Sequence, residues 1–162
     1  MKYSVIAPSY NELYREEQLN KLKIIKKHLN VKPSDKLLDI GCGTGVSTNF
    51  FKCKTYGIDP CKEMIEKGTK NLQVAEAESL PFQDKEFDIC YSNSLLEHVG
   101  KKNQKDIANE IMRVSKKFWV QIPYRYFILE PHFRFPFFHE LPQTAKHFIA
   151  KNWTPLFMKK NY

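Results

Sequence analysis

The chain has 162 residues, of which 42% are hydrophobic and 27% charged, and its formal net charge is +8. This length predicts one domain, and the composition is typical of a globular protein, which excludes global disorder. No apolar stretch reaches the roughly 20 residues of a membrane-spanning helix, and no signal-peptide core follows Met1. We therefore expect a cytoplasmic protein without a membrane span.

The cysteines and the distribution of charge narrow the function further. No cysteine or histidine set has the spacing of zinc ligands, so we expect free thiols and no metal site. Residues 1–35 carry seven basic and four acidic residues, residues 121–162 carry six and two, and the middle is nearly neutral. A nucleic-acid partner is disfavoured for the middle and stays open for the ends.

Strands and helices alternate along the first three quarters of the chain. The predicted strands span residues 36–40, 55–58, 71–75, 87–91 and 118–122, and the predicted helices span 12–29, 46–51, 61–67 and 101–114. Such alternation predicts a three-layer, doubly wound α/β fold with a mostly parallel sheet.

The C-terminal segment, residues 123–162, has a different character. Thirteen of the 22 aromatic residues lie in the last 45 positions, between repeated prolines, and only residues 141–151 show a helical rhythm. These aromatic side chains either cover one edge of the sheet or form the wall of a substrate pocket or partner surface. Both interpretations stay open.

Three glycines separate the first strand from the helix that follows: Gly41, Gly43 and Gly45. A dinucleotide fingerprint would need its third glycine at position 46, where Val46 stands. Asp39, two residues before the loop, would repel a pyrophosphate but attract an ammonium group. Asp59 ends the second strand, where a carboxylate can accept ribose hydroxyls. The pattern favours a cationic nucleoside ligand.

Four segments resemble motifs of class I, Rossmann-like methyltransferases, which use S-adenosylmethionine. Residues 37–45, LLDIGCGTG, resemble motif I, and residues 56–60, YGIDP, are similar to the ribose-binding turn. Residues 75–82, AEAESLPF, resemble the adenine-binding segment of the small-molecule methyltransferase branch, and residues 87–99 resemble the fourth strand and its turn. The resemblance implies a single domain over residues 1–162, with an N-terminal helical cap (1–34), a cofactor-binding core (35–122) and the C-terminal segment.

The resemblance also implies the cofactor-binding residues: Asp39, Gly41, Cys42, Gly43, Gly45, Asp59, Pro60, Glu76, Ala77 and Asn93. Asp39 and Gly41 would hold the methionine amino group and Asp59 the ribose, whereas Glu76 or the Ala77 backbone would meet the adenine. Helix capping is the alternative role of the two aspartates, and a solvated acidic turn is the alternative for Glu76.

Two further features of the resemblance concern the reaction itself. Asn93 would lie near the sulfonium, and His98 is the candidate base for the methyl acceptor, with a structural, helix-capping histidine as the alternative. Tyr10 and Tyr14 either cover the cofactor or pack between helices.

The expected activity is methyl transfer from S-adenosylmethionine to a small-molecule or lipid-like acceptor, including a glycan or lipid-linked precursor. Glu130-Pro131-His132, together with Pro136-Phe137-Phe138, resembles segments of methyltransferases that act on glycan or lipid-linked precursors, and this resemblance implies the last class. The alternatives are an RNA-directed methyltransferase that uses the basic ends and a non-catalytic protein that binds the cofactor. The oligomeric state cannot be predicted.

The sequence departs from the family at two places. Residues 114–118 stand where a Pro-Gly-Gly turn usually precedes the fifth strand. Fewer than 45 residues follow that strand, without a clear further pair of strands. We therefore expect the antiparallel hairpin that ends the family sheet to be shortened or missing.

Overall fold

The computed structural model of the chain describes residues 7–69 and 71–122, which lie within the compact unit Met1–Ile122. The predictions for residues 123–162 lie outside the described residues. These are the aromatic segment, the helix at 141–151, the role of His132 and the shortened hairpin.

Five parallel strands form one sheet: β1 (Lys36–Ile40), β2 (Lys54–Asp59), β3 (Leu72–Val74), β4 (Phe87–Asn93) and β5 (Ser115–Gln121). Their order across the sheet is β3-β2-β1-β4-β5, and each neighbouring pair is parallel. The order therefore reverses beside β1. In open α/β sheets, ligands bind in the crevice at the carboxyl ends of the strands where such a reversal occurs.

Four helices accompany the sheet: α1 (Tyr10–Ile25), α2 (Val46–Phe50), α3 (Lys62–Glu66) and α4 (Lys101–Val114). Single 3₁₀ turns span Ala7–Ser9 and Leu96–His98. Among the residues that the structure describes, no helix has the length and apolar character needed to cross a bilayer.

The sheet is buried on both faces, because apolar side chains point alternately to either side of its central strands. On one face, Ile107, Ile111 and Val114 of α4 pack in the same cluster as Leu38 and Phe87. On the other face, Leu22 and Ile25 of α1 pack with Leu37, Ile89 and Tyr91. This helix–sheet–helix arrangement confirms the predicted Rossmann-like α/β fold.

Most element boundaries differ from the prediction by one or two residues, and the largest differences are at the end of α1 and the start of β5. Helix α1 ends at Ile25 and not at Leu29, although Leu29 still packs against the same apolar cluster. Strand β4 continues two residues further than expected, to Asn93, because it pairs with β5 as far as Gln121. The end of α1 was misplaced because apolar periodicity can continue past the last helical turn. The end of β4 was misplaced because the length of a strand depends on its partner strand.

Strand β5 begins at Ser115, three residues before the predicted position, so the expected connection between α4 and β5 is absent. Ser115 pairs with Phe87 of β4, and its hydroxyl donates to the Ile111 carbonyl of α4 at 2.7 Å. Helix α4 therefore passes directly into the strand. Two exposed lysines at 116 and 117 gave this stretch the appearance of a loop in the sequence.

Candidate functional site

The glycine loop after β1 is tied to the end of β2 by backbone hydrogen bonds. The N–H groups of Gly41 and Cys42 both donate to the Ile58 carbonyl at 2.9 Å. Gly43 has a φ of +54°, and a Cβ there would lie 3.1 Å from the Met64 methyl group. The left-handed conformation and this close contact explain why glycine occupies the position.

Asp59, at the carboxyl end of β2, lies between the glycine loop and the start of the next helix. Its Oδ2 accepts the Gly43 N–H at 2.9 Å, and its Oδ1 accepts the Cys61 N–H at 2.8 Å. Burial raises the pKa of the carboxyl, whereas these two N–H donors lower it. Asp59 thus orients the loop, and a carboxylate oxygen has a second lone pair for a ligand hydroxyl.

Asp39, the predicted partner of an ammonium group, is 1% exposed. Its Oδ2 accepts the hydroxyls of Ser47 and Thr48 in α2, both at 2.6 Å. Burial raises the pKa of this carboxyl to about 6, the two hydroxyls oppose that effect, and the nearby Asp59 adds to it. The geometry gives Asp39 a structural role in fastening the helix to the strand, which is compatible with the capping alternative.

A cavity of about 50 Å³ lies beside the glycine loop. It is lined by Gly41, Ile58, Pro60, Ala75, Glu76, Ala77, Glu78, Leu95, Val99 and Ile107. A Cβ on Gly41 would come within 3.3 Å of Leu95, so a larger residue would narrow this space. The lining is apolar with two glutamates and without lysine or arginine. The two carboxylates and the lack of a basic side chain in the lining disfavour a phosphate at this position.

The structure brings four of the predicted residues to the cavity wall: Gly41, Pro60, Glu76 and Ala77. Gly43 and Asp59 are joined to each other by a hydrogen bond. Cys42 is 6% exposed and its thiol, whose pKa burial raises, lies 3.7 Å from the Gly43 carbonyl oxygen. Gly45, with a φ of +78°, is the N-cap residue immediately before α2.

Asn93 and His98 are not among the residues that line this cavity. Asn93 ends β4, and its Oδ1 lies 3.4 Å from the Ser94 hydroxyl. His98 belongs to the 3₁₀ turn Leu96–His98, where its side chain is 26% exposed and its Nε2 lies 4.0 Å from a Glu97 carboxylate oxygen. Gln104 holds this turn by donating to the Leu96 carbonyl at 2.8 Å.

The sequence analysis missed the apolar walls of the cavity. Leu95 and Val99 flank His98 in the turn after β4, and Ile107 comes from α4. The only sign of these walls in the sequence was that apolar residues stand close to His98, the candidate base. It could not be separated from ordinary core packing, because core and cavity walls use the same side chains.

Helix α1 contacts the glycine loop directly. The Thr44 hydroxyl donates to Asn11 Oδ1 at 2.5 Å, and a Cβ on Gly43 would lie 3.8 Å from the Tyr10 ring. The Tyr10 and Tyr14 rings are 5.1 Å apart, and Gln18 donates to the Tyr10 hydroxyl. These contacts match the helix-packing interpretation, and a role in covering the cofactor stays a prediction.

A five-stranded parallel sheet, a triple-glycine loop after β1 and an acid at the end of β2 define a Rossmann-like nucleoside-binding domain. Residues 38–117 match the family described as a methyltransferase domain. The core of this chain belongs to the class I, Rossmann-like methyltransferases, and S-adenosylmethionine is the cofactor of that family.

Several proteins are similar to this chain. A protein of Methanocaldococcus jannaschii, MJ1123, is 33% identical over 117 residues, which are 68% of this chain and 54% of that protein. The methyltransferase YcgJ of Bacillus subtilis is 31% identical over 123 residues, covering 65% and 48%. Its crystal structure has a TM-score of 0.54 at 27% identity, covering 62% of this chain and 49% of YcgJ. The chain thus spans about half the length of these relatives.

Several relatives carry names that include an acceptor, and two of these names refer to lipids. A sphingolipid C9-methyltransferase of Gibberella zeae is 29% identical over 109 residues, which are 57% of this chain and 21% of that protein. A probable fatty acid methyltransferase of Pseudomonas putida is 31% identical over 103 residues, covering 54% and 26%. The similarity is limited to the shared methyltransferase domain, which is a minor part of each of these two enzymes.

Proposed function

We propose that this protein transfers a methyl group from S-adenosylmethionine to a small-molecule or lipid-like acceptor. The observation that carries the proposal is the cavity beside the glycine loop, which has glutamates and no basic side chain in its lining. Asp59 lies at the adjoining strand end. The bound cofactor would supply an electrophilic methyl group on a sulfonium.

In this proposal, the residues of the chain mainly bind and orient. Asp59 would accept the ribose hydroxyls with the lone pairs that its two N–H donors leave, and Asp39 would face the amino group of the methionine part. The segment with Glu76 and Ala77 would contact the adenine. Methyl transfer is an in-line displacement, so holding two reactants in position and excluding water supplies much of the rate.

His98 is our candidate for the base that accepts a proton from the methyl acceptor, with Asn93 near the reacting centre. The turn that carries His98 starts close behind Asn93 and is fixed by the hydrogen bond from Gln104 to the Leu96 carbonyl. The His98 side chain is 26% exposed, so part of the imidazole can be reached by an acceptor from solvent. A histidine with a structural role is the alternative. The rate of methyl transfer by His98→Gln with bound cofactor separates the two roles, because only the loss of a base should abolish turnover while the cofactor still binds.

The acceptor class is proposed from two observations. The aromatic C-terminal segment would suit an apolar substrate, and the two relatives named for sphingolipid and fatty acid methylation share the domain. Glycan and lipid-linked precursors belong to the same proposal.

Calorimetric titration of the protein with S-adenosylmethionine tests the cofactor assignment. We expect saturable binding that Asp59→Ala abolishes and that Asp84→Ala, at an exposed position, leaves intact. Absence of heat at millimolar cofactor would overturn the proposal. Radiolabelled methyl transfer to small-molecule and lipid fractions of a lysate then tests the acceptor class.

An RNA-directed methyltransferase is the second candidate, and the exposed lysines of and just after α1 favour it: Lys23, Lys26 and Lys27. Contacts between lysines and phosphates make binding fall steeply with salt. RNA binding with such a salt dependence, together with methylated RNA, would replace the lipid-like acceptor. A third candidate, a non-catalytic cofactor-binding protein, predicts calorimetric binding without any methylated product.

A further inference from the structure

Arg113, in the last turn of α4, uses all of its hydrogen-bonding capacity. A guanidinium has five N–H groups. Two of them bind the Glu110 carboxylate, from Nε at 2.7 Å and from Nη2 at 2.8 Å. The others bind the Phe82 carbonyl at 2.8 Å, Asp84 Oδ1 at 2.9 Å and the Leu80 carbonyl at 3.0 Å.

The Arg113–Glu110 pair binds both the backbone N–H and the backbone carbonyl of one residue in the neighbouring segment, Leu80. The Leu80 N–H donates to Glu110 Oε2 at 2.6 Å, while the Leu80 carbonyl accepts from Arg113. The Leu80 side chain is 5% exposed and packs in the core beside α4. The backbone at this position is therefore fixed by both an ion pair and apolar packing.

Leu80 lies two residues after the segment of residues 75–78, which forms one wall of the cavity beside the glycine loop. Ala77, also 5% exposed, packs in the same apolar cluster as Leu80. Asn103 of α4 donates to Glu78 Oε1 at 2.7 Å and gives the segment a second attachment to that helix. The contacts with helix α4 thus determine the position of the segment 75–78, which forms this wall of the cavity.

We infer that Arg113 and Glu110 are positioning residues that fix the segment 75–78 at the distance needed to recognise the adenine base. The inference rests on the proposed cofactor. Neither side chain lines the cavity, so both act through the Leu80 backbone. The hydrogen bonds from Arg113 also lower the pKa of Glu110, which keeps the carboxylate ionised and able to accept three N–H groups.

Arg113→Lys tests the inference, because lysine keeps the charge and loses the planar fork that reaches several acceptors. Binding of two ligands is measured by calorimetry: S-adenosylhomocysteine and S-inosylhomocysteine, in which a carbonyl oxygen replaces the adenine amino group. We expect the normal protein to prefer the adenine compound. The variant should lose about tenfold in affinity for that compound, since a hydrogen bond to a charged group is being removed, and much of the preference.

Asp84→Asn is the matched control. It removes only the negative charge from the exposed side of the Arg113 network, because the Asp84 side chain is 78% exposed, and it leaves the bonds to the Leu80 and Phe82 carbonyls. We expect its affinity to change by less than about twofold. Glu110→Gln is the second test variant, and it should behave like Arg113→Lys.

Amide hydrogen exchange at Leu80 gives a readout that does not depend on the ligand. We expect faster exchange in Arg113→Lys and normal exchange in Asp84→Asn. Unchanged base preference together with unchanged Leu80 exchange in both test variants would overturn the inference. A loss of affinity that is equal for both ligands would also overturn it, since it would show a general loss of structure. If the normal protein binds neither ligand, the proposed function itself has failed.

Discussion

Asp39 is a buried acid whose ionisation works against folding. Burial raises its pKa to about 6, whereas an aspartate in an unfolded chain ionises near 4. The folded state therefore binds the proton more tightly. The contribution of Asp39 to stability is greatest when it is protonated, decreases as the pH rises from about 4 to 6, and stays low above that range.

Asp39→Asn should consequently stabilise the ligand-free protein at neutral and higher pH. The asparagine oxygen can still accept from the hydroxyls of Ser47 and Thr48, and the cost of a buried charge disappears. We expect the free energy of unfolding in urea to increase by up to about 3 kcal/mol at pH 8 and hardly at pH 4. Asp88→Asn is the control, because Lys116 lowers the pKa of Asp88, and this variant should lose a little stability at pH 8.

The same residue should make cofactor binding depend on pH. An ammonium group is attracted only to the ionised carboxylate, so affinity for S-adenosylhomocysteine should fall by up to about tenfold per unit below pH 6. Asp59 also has a raised pKa, and it is present in both the normal protein and the Asp39→Asn variant. The difference between the pH profiles of these two proteins therefore reports on Asp39 alone. Calorimetry at several pH values measures the effect. Equal pH profiles for the two proteins would remove Asp39 from the proposed amino-group site.

The glycine loop is the element on which the site depends. Gly43 has a left-handed φ and a crowded Cβ position, so Gly43→Ala should cost about 1–2 kcal/mol. It should also displace the N–H that donates to Asp59. Thermal unfolding should shift down by roughly 2–8 °C for a chain of this size.

Gly100→Ala is the matched control for this loop. Gly100 has a φ of −66°, and no atom lies within 4 Å of a Cβ built there. The preference for glycine at a helix start and the reduced entropy of the unfolded chain oppose each other, so stability should change by less than about 0.5 kcal/mol. If both variants lost equal stability, the strained geometry at Gly43 would not be the cause.

At the scale of the whole molecule, a ligand that binds only the folded protein must raise the unfolding temperature. S-adenosylhomocysteine at 100 times its dissociation constant should add about 2.7 kcal/mol. NAD at the same concentration should add nothing, because its pyrophosphate would lie at the glycine loop beside the carboxyls of Asp39 and Asp59, and the adjoining cavity has no basic side chain in its lining. A larger thermal shift with NAD would contradict the assignment of the nucleoside site.

The sequence by itself determined the elements that depend on local patterns. Strand β1 and helix α4 have the predicted bounds, residues 36–40 and 101–114, because apolar periodicity and glycine or proline boundaries are short-range features. The ends of strands β1 and β2 also follow from the sequence. They meet at one edge of a parallel sheet, which brings the Gly41–Gly45 loop beside Asp59.

Only the tertiary structure decided the properties that depend on distant residues. The start of β5 depends on pairing between Phe87 and Ser115, and the pKa of Asp39 depends on burial between strand and helix. The contact between Arg113 and the Leu80 backbone joins positions 33 residues apart. No local pattern encodes such contacts, because they arise only when separate elements pack against one another.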